Sequence, residues 1–545
     1  MHEVDVVVLG GSVLASALAE QMSHAGLRVA VVAPKDWSGG LKASTFGMID
    51  SGLSDSLSWR LLRLFKKRTY PKYWSNVAKH LVHVYPLTCH AIASTQTNTP
   101  SRGWAVKLKY ALYRLISSQA IWRNFSKKDI AGFSSQMGRA PLNSLPEKVK
   151  TAHKKHLEGF LDADRLSVLW AASARAQGAM VFNYANITEL HSGSEGWQIS
   201  YQLLNDLDQN THQIKAPFLI NTLTYDEALR VPAIDQLLDR SQWQFCERRY
   251  VVVPKPTEAA YTLVQPQQQP HYVMPVSSRA FCVGVSTRQF SLAGEYESAV
   301  DTAALVQQTC DLYGQMLNAN ASLVLPALNA NEVSSTHTEV SPSFKKRLRA
   351  TDSAHQWSMV GSAAVIWPKL GEHKTAEHAS VIHVQGGELS DLYGMLQKTW
   401  QVLHQQATLV QTEMARSVAN KIQQISVDNL FEKPVLGSDF SGSTKDYMEW
   451  LIKRKSWISF AQRERLIKTY GTQVYHFLGD AAAHTDLGPV LVGGISASEI
   501  NYLRQHEMAL SAEDILFRRT KVGFELTKEQ QQQAITDINE WLKTH

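Results

Sequence analysis

An α/β chain that ends in an all-α domain is what this 545-residue sequence predicts, and three observations carry that reading. Residues 4–19 run from an apolar, β-branched stretch through Gly10 and Gly11 into an Ala/Leu-rich helix. Residues 27–33 then form a second short apolar strand. A strand, a glycine turn, a helix and a second strand within about thirty residues is the size of the first half of a Rossmann-like dinucleotide-binding unit. From residue 436 onward the chain becomes polar and strongly helical.

The elements between follow in order. Residues 197–204 alternate polar and apolar side chains like a half-exposed strand, an Asn/Asp turn follows, and residues 216–221 read as one buried strand. The region 245–285 repeats such signals at 250–253, 272–274 and 280–284, which predicts a mixed β-rich second layer. Residues 380–435 carry Gln, Val, Leu and Ala at helical spacing. In the tail, Ser496 with Glu499 and Thr527 with Gln530 match the capping box, Ser511 with Asp514 gives a third helix start, and Gly523 reads as the stop of that helix. The domains expected are 1–435, with the Rossmann-like start at 1–60, and a helical domain at 436–545.

Composition narrows the class. Hydrophobic residues make up 44% and charged residues 19%, so the chain reads as globular rather than disordered. The four cysteines, Cys89, Cys246, Cys282 and Cys310, are widely spaced, which argues against a disulfide framework or zinc site and for a reducing cytoplasm. No signal-like start and no apolar run of about 18 residues is present, so no spanning helix is expected. Within a net charge of +6, residues 1–150 hold 20 Lys+Arg against 8 Asp+Glu. Segments 59–74 and 102–128 mix those cations with Trp, Tyr and Phe. Each reads as a solvated amphipathic face or as an interfacial membrane contact. No recognition motif accompanies them, so nucleic acid is not expected. His506-Glu507 and Glu372-His373 lack a partner histidine at helical spacing and read as surface or capping residues, so no metal is expected.

The tail is the most specific stretch. Residues 499–507, 512–523, 468–472 and 486–488 together resemble the C-terminal domain of FAD-dependent glycerol-3-phosphate dehydrogenases. Weaker blocks at 158–165, 250–254 and 370–379 occur in the same order. The resemblance implies FAD as cofactor, oxidation of glycerol 3-phosphate to dihydroxyacetone phosphate, and a quinone as acceptor. It also implies work on the cytoplasmic face of the inner membrane, with a homodimer left open. Because the flavin carries the redox chemistry, the protein must supply phosphate donors, a ribose acceptor, cations for the substrate phosphate and a base.

Carried over residue by residue, the resemblance assigns cofactor contacts to Gly10, Gly11, Ser12, Ala15, Gly40, Ser44, Thr45 and Asn221. Ser12 stands where the family has glycine, and Ala33 where it has the ribose-binding glutamate. The family's histidine corresponds to Asp50, its phosphate-binding arginine to Ser54 and its tyrosine to Asp55. Asp50 and Asp55 read as ordinary polar residues or as a pocket re-aimed at a neutral or cationic substrate. A later family histidine corresponds to Tyr250. The family's Gly-Gly-Lys motif matches either residues 367–373, which keep Lys369, or Gly386 to Ser390, which keep the glycines. Asp50, Tyr250 and Lys369 are therefore the candidate catalytic positions. Three readings remain: a dehydrogenase of the family's substrate, a flavoenzyme with a non-phosphorylated substrate, or a silent homologue acting as a binding partner.

Overall fold

The computed structural model describes residues 2–38, 47–49, 69–91, 154–193, 196–206, 208–224, 227–228, 230–235, 244–253, 260–264, 271–276, 280–290, 335–343, 355–360, 363–368, 381–387, 389–408, 413–427, 430 and 432–545. At its centre lies a seven-stranded sheet ordered His355–Val360, Ala363–Pro368, Val381–Gly386, Phe218–Asn221, Val6–Leu9, Val29–Val32, Met180–Phe182. The last five strands run parallel. Their near-continuous apolar sequences suit a sheet covered on both faces, since a parallel ladder puts no strand face in water.

The pleat sorts side chains to two cores. Val6, Val8, Val29 and Val31 pack with the helices Val13–His24, Ala163–Ala176 and Leu392–Ala407. Val7, Leu9, Ala30 and Val32 pack on the other face with Ile187, Trp197, Ile199, Tyr201 and Ile214 of a four-stranded sheet. The first two helices meet through Ser16 and Ser167, whose hydroxyls lie 3.1 Å apart. Trp400 Nε1 donates to Gln21 Oε1 at 2.9 Å and ties in the third.

A further eight-stranded sheet contains Gln244–Val253, Phe281–Phe290, Ser335–Ser343, Val82–Ala91 and Lys154–Leu161, which is the mixed β-rich layer the sequence predicts. The C-terminal region is helical, with Thr444–Arg454, Phe460–Tyr470, Ala497–Glu507 and Lys528–Thr544 around their own core. Ser443, Ser459 and Thr527 each cap a helix through a reciprocal capping box, so a backbone donor at each helix start is satisfied locally. Gly437 is required where the tail begins: its φ is +88°, and a Cβ there would lie 2.3 Å from the Tyr470 carbonyl oxygen.

Several sequence expectations need correction. Residues 216–221 are two strands in two sheets, because Pro217, which has no N–H to give a ladder, separates Thr211–Ala216 from Phe218–Asn221. The run 380–435 opens with the strand Val381–Gly386 rather than a helix, as its β-branched start allows. Gly523 does not stop a helix: Asp514–Arg519 is a short π-helix already ended by Thr520, and Gly523 instead gives room to the Phe517 ring, 2.5 Å from where its Cβ would sit. Ser496 caps its helix, but Glu499 turns its carboxylate to Arg465 and Tyr470 instead of closing the box. At the end of segment 59–74, Trp74 is buried against Trp170, so it belongs to the core rather than to a surface face. The remainder of that segment up to 68, and all of 102–128, lie outside the described residues.

Candidate cofactor site

The carboxyl ends of neighbouring parallel strands converge on one edge of the central sheet. Leu9 pairs with Asn221 on one side and Val32 on the other, and Asn221 pairs with His383. Such an edge is where open α/β sheets bind nucleotides. Gly10 leaves its strand at φ +110°, and a Cβ there would lie 2.7 Å from Thr222 Oγ1. The next turn explains how a serine is tolerated at position 12. Ser12 is the N-cap of Val13–His24: its Oγ accepts from Ala15 N at 3.1 Å and donates to Thr222 Oγ1 at 3.3 Å. The hydroxyl is thereby turned onto its own helix and onto the adjacent turn. The first N–H groups of the helix still have no intrahelical acceptor, and with the positive end of the helix dipole they suit an anion.

Asn221 anchors the second turn. Its Nδ2 lies 3.0 Å from His383 Nδ1, and its Oδ1 accepts from Leu223 N at 3.1 Å. Gln385 Nε2 donates to the Leu223 carbonyl at 3.3 Å, and Thr224 N donates to Glu227 Oε2 at 2.9 Å. This network fixes residues 221–224 against the strand that ends at Gly386. Gly386 and Gly387 follow at φ +70° and +102°, so the glycine pair of one alignment stands on the same edge as Gly10 and Asn221. Lys369, the mark of the other alignment, lies outside the described residues, as do Gly40, Ser44, Thr45 and Asp50. Tyr250 lies in the strand Gln244–Val253, its backbone paired with Gly284 and His337 in the eight-stranded sheet.

Beyond the second strand, Ala33 is buried and uses its backbone in bonds with Phe182 and Ala185, both at 2.9 Å. It offers a ribose no acceptor. The carboxylate three residues on, Asp36, is engaged by the tail: Arg518 Nε donates to it at 2.6 Å, Arg519 Nη2 at 3.0 Å and Asn183 Nδ2 at 2.9 Å. Burial works against its charge, but Arg519, Arg518 and Asn183 outweigh burial and hold its carboxyl below the usual carboxylate range. Ser38 N donates to the Gly11 carbonyl at 2.6 Å, while Ser38 Oγ and the indole Nε1 of the preceding Trp37 are buried with no hydrogen-bond partner among the described residues.

The tail is clamped to this region by charges. Arg165 Nη2 donates to Glu507 Oε1 at 2.8 Å, a second guanidinium–carboxylate contact lies beside it, and Arg165 Nε reaches the Thr469 carbonyl at 3.0 Å. Glu507 is therefore a fully buried ion-pair partner, not the surface or capping residue its sequence context suggests. Lys521 Nζ meets Asp162 at 2.8 Å. His80 lies at the same junction, its Nδ1 2.7 Å from Ser438 Oγ. Burial, aided by the nearby Arg165 charge, pushes His80 down to about 3 and keeps it neutral.

Sequence reasoning finds the two glycine turns and Asn221 but passes over Asp36, Ser38, His383 and the partners of Arg518 and Arg519. The Arg518-Arg519 pair is visible in the sequence. Its acceptor, nearly 500 residues away, is not.

A mostly parallel sheet with a glycine turn, an Asn-centred turn and a second glycine pair on one edge is the arrangement of the nucleotide-binding α/β class. The chain belongs to the FAD-dependent oxidoreductase family, whose profile matches residues 5–347, and the profile of the C-terminal domain of alpha-glycerophosphate oxidase matches residues 432–545. Among curated relatives, it is 23% identical over 537 residues to a glycerol-3-phosphate dehydrogenase of Pseudomonas aeruginosa, covering 97% of this chain and 93% of that one. It is 20% identical over 538 residues to a D-erythritol 1-phosphate dehydrogenase of Brucella abortus, covering 96% and 95%. The fold matches that of the glycerol-3-phosphate dehydrogenase from Bacillus halodurans complexed with FAD, with a TM-score of 0.62 at 15% identity over 99% of this chain and 95% of that one.

The protein is thus an FAD-dependent oxidoreductase resembling glycerol-3-phosphate dehydrogenase, with FAD as its cofactor. The crevice residues fit that group: the Gly10–Ser12 turn presents helix N–H groups, and Ser38, tied to that turn by its backbone bond to Gly11, carries a buried Oγ with no partner among the described residues. Among the described residues no helix is long and apolar enough to cross a membrane.

Proposed function

We propose that FAD lies along the carboxyl edge of the central sheet, its pyrophosphate against the Gly10–Ser12 turn and its flavin toward Asn221–Thr224 and Gly386–Gly387, and that the protein oxidises a small polyol phosphate. The observation that supports this is the alignment of three turns on one strand edge, each fixed by backbone geometry or buried polar bonds. Bound there, FAD supplies the hydride acceptor that no side chain can provide. The chain's own part is to hold the phosphates with helix N–H groups, to brace the flavin-side turn through Asn221 and His383, and to position substrate through Asp50, Tyr250 and Lys369. A quinone is the proposed acceptor. Peripheral attachment to the cytoplasmic face of the inner membrane through 102–128 and the part of 59–74 before Trp74, and a homodimer, belong to the same proposal.

A second reading rests on a specific pattern. Ser54, Asp50 and Asp55 replace the cation and its neighbours that the family resemblance assigns to a substrate phosphate. Carboxylates there favour a neutral or cationic substrate over a dianion. One preparation separates the readings. Purified protein should carry or take up FAD, and under anaerobic conditions a polyol phosphate such as glycerol 3-phosphate or erythritol 1-phosphate should bleach the flavin band. Bleaching only by non-phosphorylated alcohols supports the second reading. A protein that neither carries nor takes up FAD overturns both and leaves the silent homologue. Co-sedimentation with anionic vesicles, lost when the cations of 102–128 are neutralised, tests the membrane contact.

A further inference from the structure

The adenosine end of the crevice has lost one polar group and gained another. Ala33 provides no side-chain acceptor, and Asp36 is held by three side chains, Asn183, Arg518 and Arg519, and is only 2% exposed, so neither offers a carboxylate to a ribose. Ser38 has the opposite character. It is 3% exposed, its backbone N–H is bonded to Gly11 at 2.6 Å, and its Oγ has no partner among the described residues. Buried hydroxyls almost always have a partner, so an orphan beside a ligand turn is a candidate ligand group. Its backbone adds an independent sign: Ser38 sits at φ +67°, a left-handed conformation that non-glycine residues seldom adopt and that tends to persist where a site requires it. Ser12, by contrast, already spends its hydroxyl on Ala15 N and Thr222 Oγ1.

From this we infer that Ser38 Oγ binds the adenosine-diphosphate half of the cofactor and serves as a neutral replacement for the acid missing at Ala33. The inference rests on the proposed FAD site. A hydroxyl suits either partner available there, accepting from a ribose hydroxyl or donating to an oxygen of the adenosine-side phosphate, neither of which FMN carries on that side.

The test is Ser38→Gly in the full-length apoprotein, because glycine adopts φ +67° without strain and removes only the side chain. FAD binding is read by flavin fluorescence, and ADP binding by calorimetry. The variant should melt no lower than wild type and bind both FAD and ADP about three- to tenfold more weakly, the range for one neutral hydrogen bond. FMN, which lacks the adenosine half, should bind both proteins alike. Equal FAD and ADP affinity in variant and wild type overturns the role of Ser38 while leaving the FAD site standing, as does a parallel loss for FMN. Failure of wild type to bind FAD overturns both. Should Ser38→Gly not fold, Ser38→Ala gives the same comparison.

Discussion

Glu507→Gln is expected to be among the most damaging single changes in the C-terminal region. Arg165 and Glu507 are buried to 1% and 0% side-chain exposure, with Nη2 to Oε1 at 2.8 Å and a second contact beside it. Burial opposes the guanidinium charge, and Glu507 more than offsets that, raising Arg165 above its ordinary value. An amide at 507 keeps the shape and one acceptor oxygen but removes the countercharge, leaving a buried guanidinium charge answered by neutral groups such as the Thr469 carbonyl, 3.0 Å from Nε, and the Tyr470 ring. Removing one partner of a buried pair costs about 3–5 kcal/mol, whereas replacing both by apolar groups is often close to neutral. Guanidinium melts followed by far-UV circular dichroism should show the loss in Glu507→Gln and substantial recovery in the double variant Arg165→Met/Glu507→Leu. A cost below about 1 kcal/mol in the single variant would refute the claim that this pair is dry and clamps the tail to the helix Ala163–Ala176.

The other predictions concern pH, backbone and cofactor. His80 is neutral in the fold, with its value at about 3 against an ordinary 6.5. Below pH 6.5 the unfolded chain therefore takes up a proton that the native chain refuses, and stability falls as pH drops. Between pH 7 and pH 5 this contributes about 2 kcal/mol of loss, which His80→Asn should remove from the pH dependence of the melts. Asp36 has the depressed value of a paired acid, so its contribution is present above the ordinary carboxylate range and disappears only at more acidic pH; Asp36→Asn should flatten that acid limb. Gly10→Ala places a Cβ 2.7 Å from Thr222 Oγ1 at φ +110°, and should abolish FAD uptake even where the purified protein remains helical by circular dichroism. Ala33→Glu restores an acid at the strand end and should tighten FAD roughly ten- to a hundredfold, measured by equilibrium titration of the apoprotein.

What the sequence makes legible follows from what is local. The strand–turn–helix at residues 4–19 is readable because its β-branched run, Gly10 and an Ala-rich helix all point the same way. The Thr527 capping box is readable because its partner is three residues off. The break at Pro217 is not legible because apolar continuity from Ala216 to Asn221 masks a change of sheet, which is a tertiary event. Glu507 reads as surface because its partner Arg165 is 342 residues away. The same applies to the site: Gly10 announces itself through turn chemistry and Asn221 through the family resemblance, whereas His383 matters only because the strand Val381–Gly386 lies beside Phe218–Asn221. Ser38 carries no sequence signal, since its significance lies in a left-handed backbone and a hydroxyl with no partner among the described residues.

The central claim is that the edge formed by Gly10–Ser12, Asn221–Thr224 and Gly386–Gly387 holds FAD in a form that a substrate can reduce. Anaerobic absorbance spectroscopy of the FAD-loaded protein tests it directly. The account predicts a flavin spectrum that bleaches on addition of a polyol phosphate and recovers when a soluble quinone is admitted. A protein that takes up no FAD, or whose bound flavin stays oxidised with phosphorylated and non-phosphorylated polyols alike, would contradict it.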